Sequence, residues 1–147
     1  MTSLTERVLA AAHASASRPA ARHGRAPGVT FLVDGAEDHV PWPQLCAEAQ
    51  AAAGGLARLG VGPGSHVALL GPTTRAQVTL IEAVWLAGAT LVVLPLPMRL
   101  ASIEDFVAQT RRRIAHADVS LVLEDPDFAP FLVPEPGDPP MRTYDEV

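Results

Sequence analysis

Lysine is missing from all 147 residues; the 11 basic side chains are arginines. Without an ε-amine the chain can form no Schiff base, and a Walker-type loop with its phosphate-binding lysine is excluded within it. Cysteine is nearly as scarce. Cys46 stands alone, which rules out an intramolecular disulfide and suits a reducing cytoplasm. It lies among apolar helix positions and reads as a small buried hydrophobe, not a nucleophile. Positive charge is in deficit, 16 acids against 11 arginines for a net charge of -5, the wrong sign for a nucleic-acid binder. His13, His23, His39, His66 and His116 include no pair at metal-ligand spacing, and none lies three or four residues from Cys46, so no zinc site is expected. There is no Gly-x-Ser-x-Gly elbow and hence no hydrolase nucleophile to propose. No internal repeat is present.

What is there is apolar. Hydrophobic residues make up 48% of the chain and charged ones 18%, enough for a core in one domain or part of one. Val78 to Met98 carries one charge, Glu82, over about the length of a membrane helix. Gly88 splits it, and Pro95 and Pro97 close it, so it reads as a buried helix, a turn and a buried strand, with no transmembrane segment. No secretion signal is read at the N-terminus. Ser3 and Glu6 stand at capping-box spacing before a short amphipathic helix, and Ala14 to Pro27 reads as a flexible arm.

Further along, Val29 to Val33 and Glu37 to Val40 flank Asp34-Gly35, a hairpin signal. Pro43 to Leu59 repeats apolar residues at helical spacing, and Gly60 to Gly64 stops it. Three short apolar strands follow, His66–Leu70, Leu91–Leu94 and Val119–Leu123. They are separated by a helix over Arg75–Ala87 and by one that Ser102 caps, with Ile103, Phe106, Val107, Thr110 and Ile114 on one face. Strand, helix, strand, helix, strand with short links predicts a parallel βαβαβ unit. The strands do not alternate, as expected where both sheet faces are covered. Six of the 14 prolines crowd the last 24 residues among acids, which reads as a linker or extended tail over 124–147. The expected organisation is therefore an N-terminal helix and arm over 1–28, a partial α/β domain over 29–123, and the tail.

Few residues here carry chemistry. The glycines of Gly60 to Gly64 follow a helix and precede a strand, the wrong order for a phosphate loop. Gly71, Thr73 and Thr74 do lie between a strand and a helix, where amides and hydroxyls could meet an anion, although helix capping explains the threonines without one. Arg99 follows the second strand at the same edge, where open α/β sheets bind ligands. These four residues are the candidate rim. Arg111, Arg112 and Arg113 close a helix that opens with Glu104 and Asp105, a distribution the helix dipole favours, and read as a solvated helix end. Trp42 and Trp85 read as core.

The succession of segments resembles the start of the adenylate-forming superfamily, which includes acyl-CoA synthetases and fatty-acyl-AMP ligases. Thr30 to Gly35 followed by Val40-Pro41-Trp42-Pro43-Gln44-Leu45 is similar to the family's opening hairpin and helix. Leu56-Ala57-Arg58-Leu59-Gly60 with the strand His66–Leu70, and Ala87-Gly88-Ala89 before the second strand, match its next elements. Pro95-Leu96-Pro97-Met98-Arg99 and the helix holding Phe106 and Arg111 look closest to the fatty-acyl-AMP ligase branch. The likeness covers about residues 29 to 123. It implies activation of a fatty acid by ATP and magnesium to an acyl-adenylate, then transfer to a carrier protein or CoA. The family's nucleotide loop and its catalytic lysine have no counterpart here, so no catalytic residue carries over and no cofactor is expected to bind these residues alone. The expectation is a cytoplasmic scaffold segment, inactive alone, partnered by the remainder of a ligase domain or by itself through open sheet edges. An independent small α/β ligand-binding domain and a non-catalytic interaction protein are the alternatives.

Overall fold

The computed structural model describes residues 3–17, 24–97 and 102–147. Helix α1 (Leu4–Ala16) opens with the capping box: the Glu6 amide donates to Ser3 Oγ at 3.2 Å, and the Ser3 amide to Glu6 Oε2 at 2.7 Å. Ala14 to Ala16, read as the start of the arm, continue the helix, and 18–23 lie outside the described residues.

Strands β1 (Gly28–Val33) and β2 (Ala36–Pro41) form an antiparallel two-stranded sheet. Asp34 and Gly35 both take positive φ, 50° and 79°, the turn whose twist matches that of the flanking strands. Phe31 and Val40 face inward with Leu45 of α2 (Trp42–Arg58), so the hairpin is docked through one side.

The parallel unit is as expected, with boundaries shifted by one or two residues. Strands β3 (His66–Leu70), β4 (Thr90–Val93) and β5 (Leu121–Glu124) alternate with α3 (Arg75–Leu86) and α4 (Ile103–His116). Strand β3 pairs in parallel with β4 on one side and β5 on the other. Val67 to Leu70 have no exposed surface, and each buried leucine or valine stabilises the fold by about 1.5–3 kcal/mol. Val67 and Leu69 pack toward Leu56 of α2 and Leu80, Ala83 and Val84 of α3. Ala68 and Leu70 pack toward Phe106 and Ile114 of α4. Two covered faces explain the unbroken apolar strands.

The tail requires a correction. Residues 124–147 are no linker: Met141–Thr143 form β6, parallel to β5, and extend the sheet to the order β4-β3-β5-β6. A short 3-10 turn, Tyr144–Glu146, follows. Leu132, Met141 and Tyr144 are buried. The prolines misled because they punctuate a structured crossover; Leu132, Met141 and Tyr144 anchor it at spacings that fit no periodic pattern. Of the open edges expected of a three-stranded unit, the one at β5 is therefore covered.

Candidate functional site

The candidate rim lies at the carboxyl end of β3, beside the β3–β5 boundary where the strand order reverses. Gly71 is buried because a side chain has no room there. A Cβ on it would lie 2.6 Å from Tyr144 Oη and 2.8 Å from Asp125 Cβ. Its carbonyl accepts from Gln77 Nε2 at 3.0 Å. Thr74 is the helix cap, its hydroxyl accepting from the Gln77 amide at 3.3 Å, while Thr73 is exposed. Arg99 lies outside the described residues. The structure thus brings Gly71, Thr73 and Thr74 together at one sheet edge.

The groups around this rim are acids. Glu124 ends β5 with 4% of its surface exposed, and its Oε2 has no hydrogen-bond partner among the described residues. Burial, and then the Glu146 carboxylate, pushes its pKa up to about 7. Tyr144 packs its phenol against Gly71, and burial followed by the Asp125 carboxylate raises that phenol's pKa. The crevice between β3 and β5 is thus filled by a tyrosine and bordered by carboxyls.

Two arginines not singled out as partners fasten neighbouring elements, one beside the rim and one away from it. Arg75, at the start of α3, reaches Asp38 Oδ2 at 3.0 Å and forks onto both oxygens of Glu48, with Nε at 3.1 Å from Oε2. It ties hairpin, α2 and α3 together, and its hydrogen bonds hold the Glu48 carboxyl below the usual range. Arg111 is not part of a solvated helix end. Only 21% of its side chain is exposed, and it bonds Glu135 at 2.9 Å, Asp138 at 3.1 Å and the Val133 carbonyl at 2.6 Å, pinning the tail to α4. A tail read as a linker offered no partner for it.

The tryptophans also differ from expectation. Trp42 and Trp85 are 37% and 36% exposed, flanking the side on which α1 lies over α2 and α3. A groove of about 340 Å³ runs beneath α1, lined by Val8, Ala11, Ala12, Trp42, Cys46 and Glu82 among others. Cys46 is buried, as expected, and that burial, with the nearby Glu82, raises its thiol pKa. Among the described residues no cluster of three metal-ligating side chains occurs, and no helix is long and apolar enough to cross a membrane.

Comparison with known proteins then bears on this geometry. Residues 18–135 match the family model described as AMP-binding enzyme. The fatty acid AMP ligase of Legionella pneumophila superposes with a TM-score of 0.76 at 21% identity, over 99% of this chain and 24% of the ligase. A structure of fatty acyl-adenylate ligase from L. pneumophila in complex with acyl adenylate and pyrophosphate gives 0.76 at 22% identity, over 97% and 23%. The O-succinylbenzoate coenzyme A synthetase of Bacillus subtilis, in complex with ATP and magnesium, gives 0.63 at 20% identity, over 76% and 28%. No curated protein matches the sequence. The chain spans about a quarter of the length of these ligases.

Proposed function

The chain belongs to the AMP-binding enzyme family, and from that premise we propose that it forms the N-terminal quarter of a fatty-acyl-AMP ligase or acyl-CoA synthetase, a scaffold that does not itself perform the chemistry. The observation that carries this reading is the disparity of coverage: 99% of this chain matches only 24% of the ligase. The parent reaction is attack of a fatty-acid carboxylate on the α-phosphate of ATP, with acyl-AMP and pyrophosphate as products. The acyl group then passes to a thiol of a carrier protein or of CoA.

Among the described residues, those at the rim do not fit ATP and magnesium by themselves. A triphosphate needs cations or free amides around it. Here Glu124 and Asp125 border the rim, Tyr144 fills the crevice, and Arg75 is engaged by Asp38 and Glu48. Gly71 to Thr74 serves as a joint between β3 and α3. The acidic border supports the same reading, since phosphates bound to the complete domain would be held by groups outside these residues. The cytoplasm is the compartment proposed for the enzyme, consistent with a lone reduced cysteine.

ATP–pyrophosphate exchange with long-chain fatty acids tests the proposal. The purified 147-residue chain should show none above background, while the polypeptide extended to the length of the matched ligases should show it. Exchange by the short chain would overturn the scaffold reading. Saturable stabilisation of the short chain by a nucleotide would favour an independent ligand-binding domain instead.

A further inference from the structure

The two outer edges of the four-stranded sheet are built differently. At the β6 edge, the ladder bond from the Val122 amide to the Pro140 carbonyl places Arg142 toward β5 and turns Met141 and Thr143 outward. Both outward residues are served from within the chain. The Thr143 amide donates to Glu146 Oε2 at 2.7 Å, and the Met141 carbonyl accepts from Arg142 Nη1 at 2.7 Å. The strand is only three residues long, follows Pro139 and Pro140, and runs straight into a 3-10 turn. Shortness, proline and charge are the devices that close a sheet edge.

The β4 edge is also short, four residues with Pro95 and Pro97 behind it, but it carries no charge and nothing local among the described residues serves its outward groups. Bonds from Thr90 N to Ser65 O and from Leu94 N to Leu69 O fix which residues face β3, so Leu91 and Val93 turn their amides and carbonyls outward. No side chain among the described residues caps them. Thr90-Leu91-Val92-Val93 carries no charge or proline, and Val93 is 56% exposed although it is a β-branched apolar residue in a sheet.

We propose that β4 is the growing edge of the sheet and β6 its finished one: β4 receives one further strand from the part of the adenylate-forming domain outside these 147 residues. This rests on the partial-domain reading above. The occupant follows from the matched ligases, which are about four times as long as this chain. Its chemistry follows from the edge. Leu91 packs with the layer beneath α2 and α3, and Val92 with the layer beneath α4. The incoming strand is therefore uncharged and apolar on both faces, and it bonds to Leu91 and Val93.

Amide hydrogen exchange tests this. In the 147-residue chain, Leu91 and Val93 should exchange about a hundredfold faster than Val92 and Leu94, which bond to β3. In the extended polypeptide, Leu91 and Val93 should slow at least about tenfold, with the outer edge of β6 unchanged. Val93→Lys should leave the melting of the short chain unaltered and cancel that slowing in the long one. If the long polypeptide forms acyl-adenylate while Leu91 and Val93 exchange as in the short chain, the edge assignment is overturned and the family reading stands. If they slow but no acid is adenylated, the edge assignment stands and the ligase reading fails. Concentration-dependent protection of these amides in the short chain alone would mean that a second copy docks there, which overturns the assignment to the rest of the domain.

Discussion

The two faces of the parallel sheet are covered by different means. Beneath α2 and α3, two helices laid down before β4 enclose Val67, Leu69, Leu121 and Leu123 with apolar side chains, and Tyr144 completes the layer. Beneath α4 there is one helix, and a proline-rich crossover contributing Leu132 supplies the rest of the wall. That second face also contains Thr110, whose hydroxyl is buried without a partner among the described residues, and its wall is fastened by the Arg111 ion pairs. The α2–α3 face is packed by apolar side chains, with the Arg75 ion pairs tying its helices to the hairpin, whereas on the α4 face ion pairs fasten the wall itself. Salt should therefore loosen the crossover on the α4 face before it opens the packed layer beneath α2 and α3.

The largest effect should come from Leu132→Ala. If the crossover is a true wall, the loss is about 3 kcal/mol, comparable with Leu56→Ala on the opposite face, because both leucines have no exposed surface. Urea unfolding of the two variants compares them directly, and a loss below about 0.5 kcal/mol at Leu132 would return the crossover to the status of a surface segment.

A smaller, pH-dependent effect belongs to Glu124. Its folded pKa, about 7, lies above the unfolded value, so the folded state retains the proton longer as pH rises. Its own contribution to stability should be greatest below the unfolded pKa, decline as pH rises from there through the folded pKa, and level off above it. Glu124→Gln should flatten that decline and stabilise the chain at pH 8 by about 2 kcal/mol, with little change at pH 4. A wild-type melting temperature that does not fall between pH 5 and pH 8 would contradict the burial of this carboxyl.

Least of the three is Arg111→Ala, at about 1–2 kcal/mol, because Glu135 is well exposed while Asp138 is not. Its cost should shrink in 1 M salt and should appear as faster proteolysis within 125–140 before any loss of the α2–α3 face. Equal loosening of both faces would remove the distinction between them.

The front of the chain was legible because local chemistry and burial agree there. Asp34-Gly35 demands a tight turn, Ser3, Thr74 and Ser102 each cap a helix, and β3 is apolar because both of its faces are covered. The tail was illegible for the converse reason. Six prolines mask a strand of three residues whose partner, β5, is some twenty positions away, and Leu132 is an isolated anchor outside any periodic pattern. The tryptophans were misread because helical spacing identifies an apolar stripe but not the width of the neighbour covering it; α1 leaves a groove beside Trp42. The rim positions were readable from strand-to-helix order. The tyrosine filling the adjacent crevice comes from more than seventy residues later, beyond the reach of a local pattern.

Cys46 lies beneath α1 with 5% of its surface exposed and is the only thiol in the chain. A thiol-directed reagent therefore has a single target, and one too bulky for the groove meets it only while α1 is lifted. The rate of modification under native conditions thus measures how often α1 leaves the body, a built-in clock for one local opening.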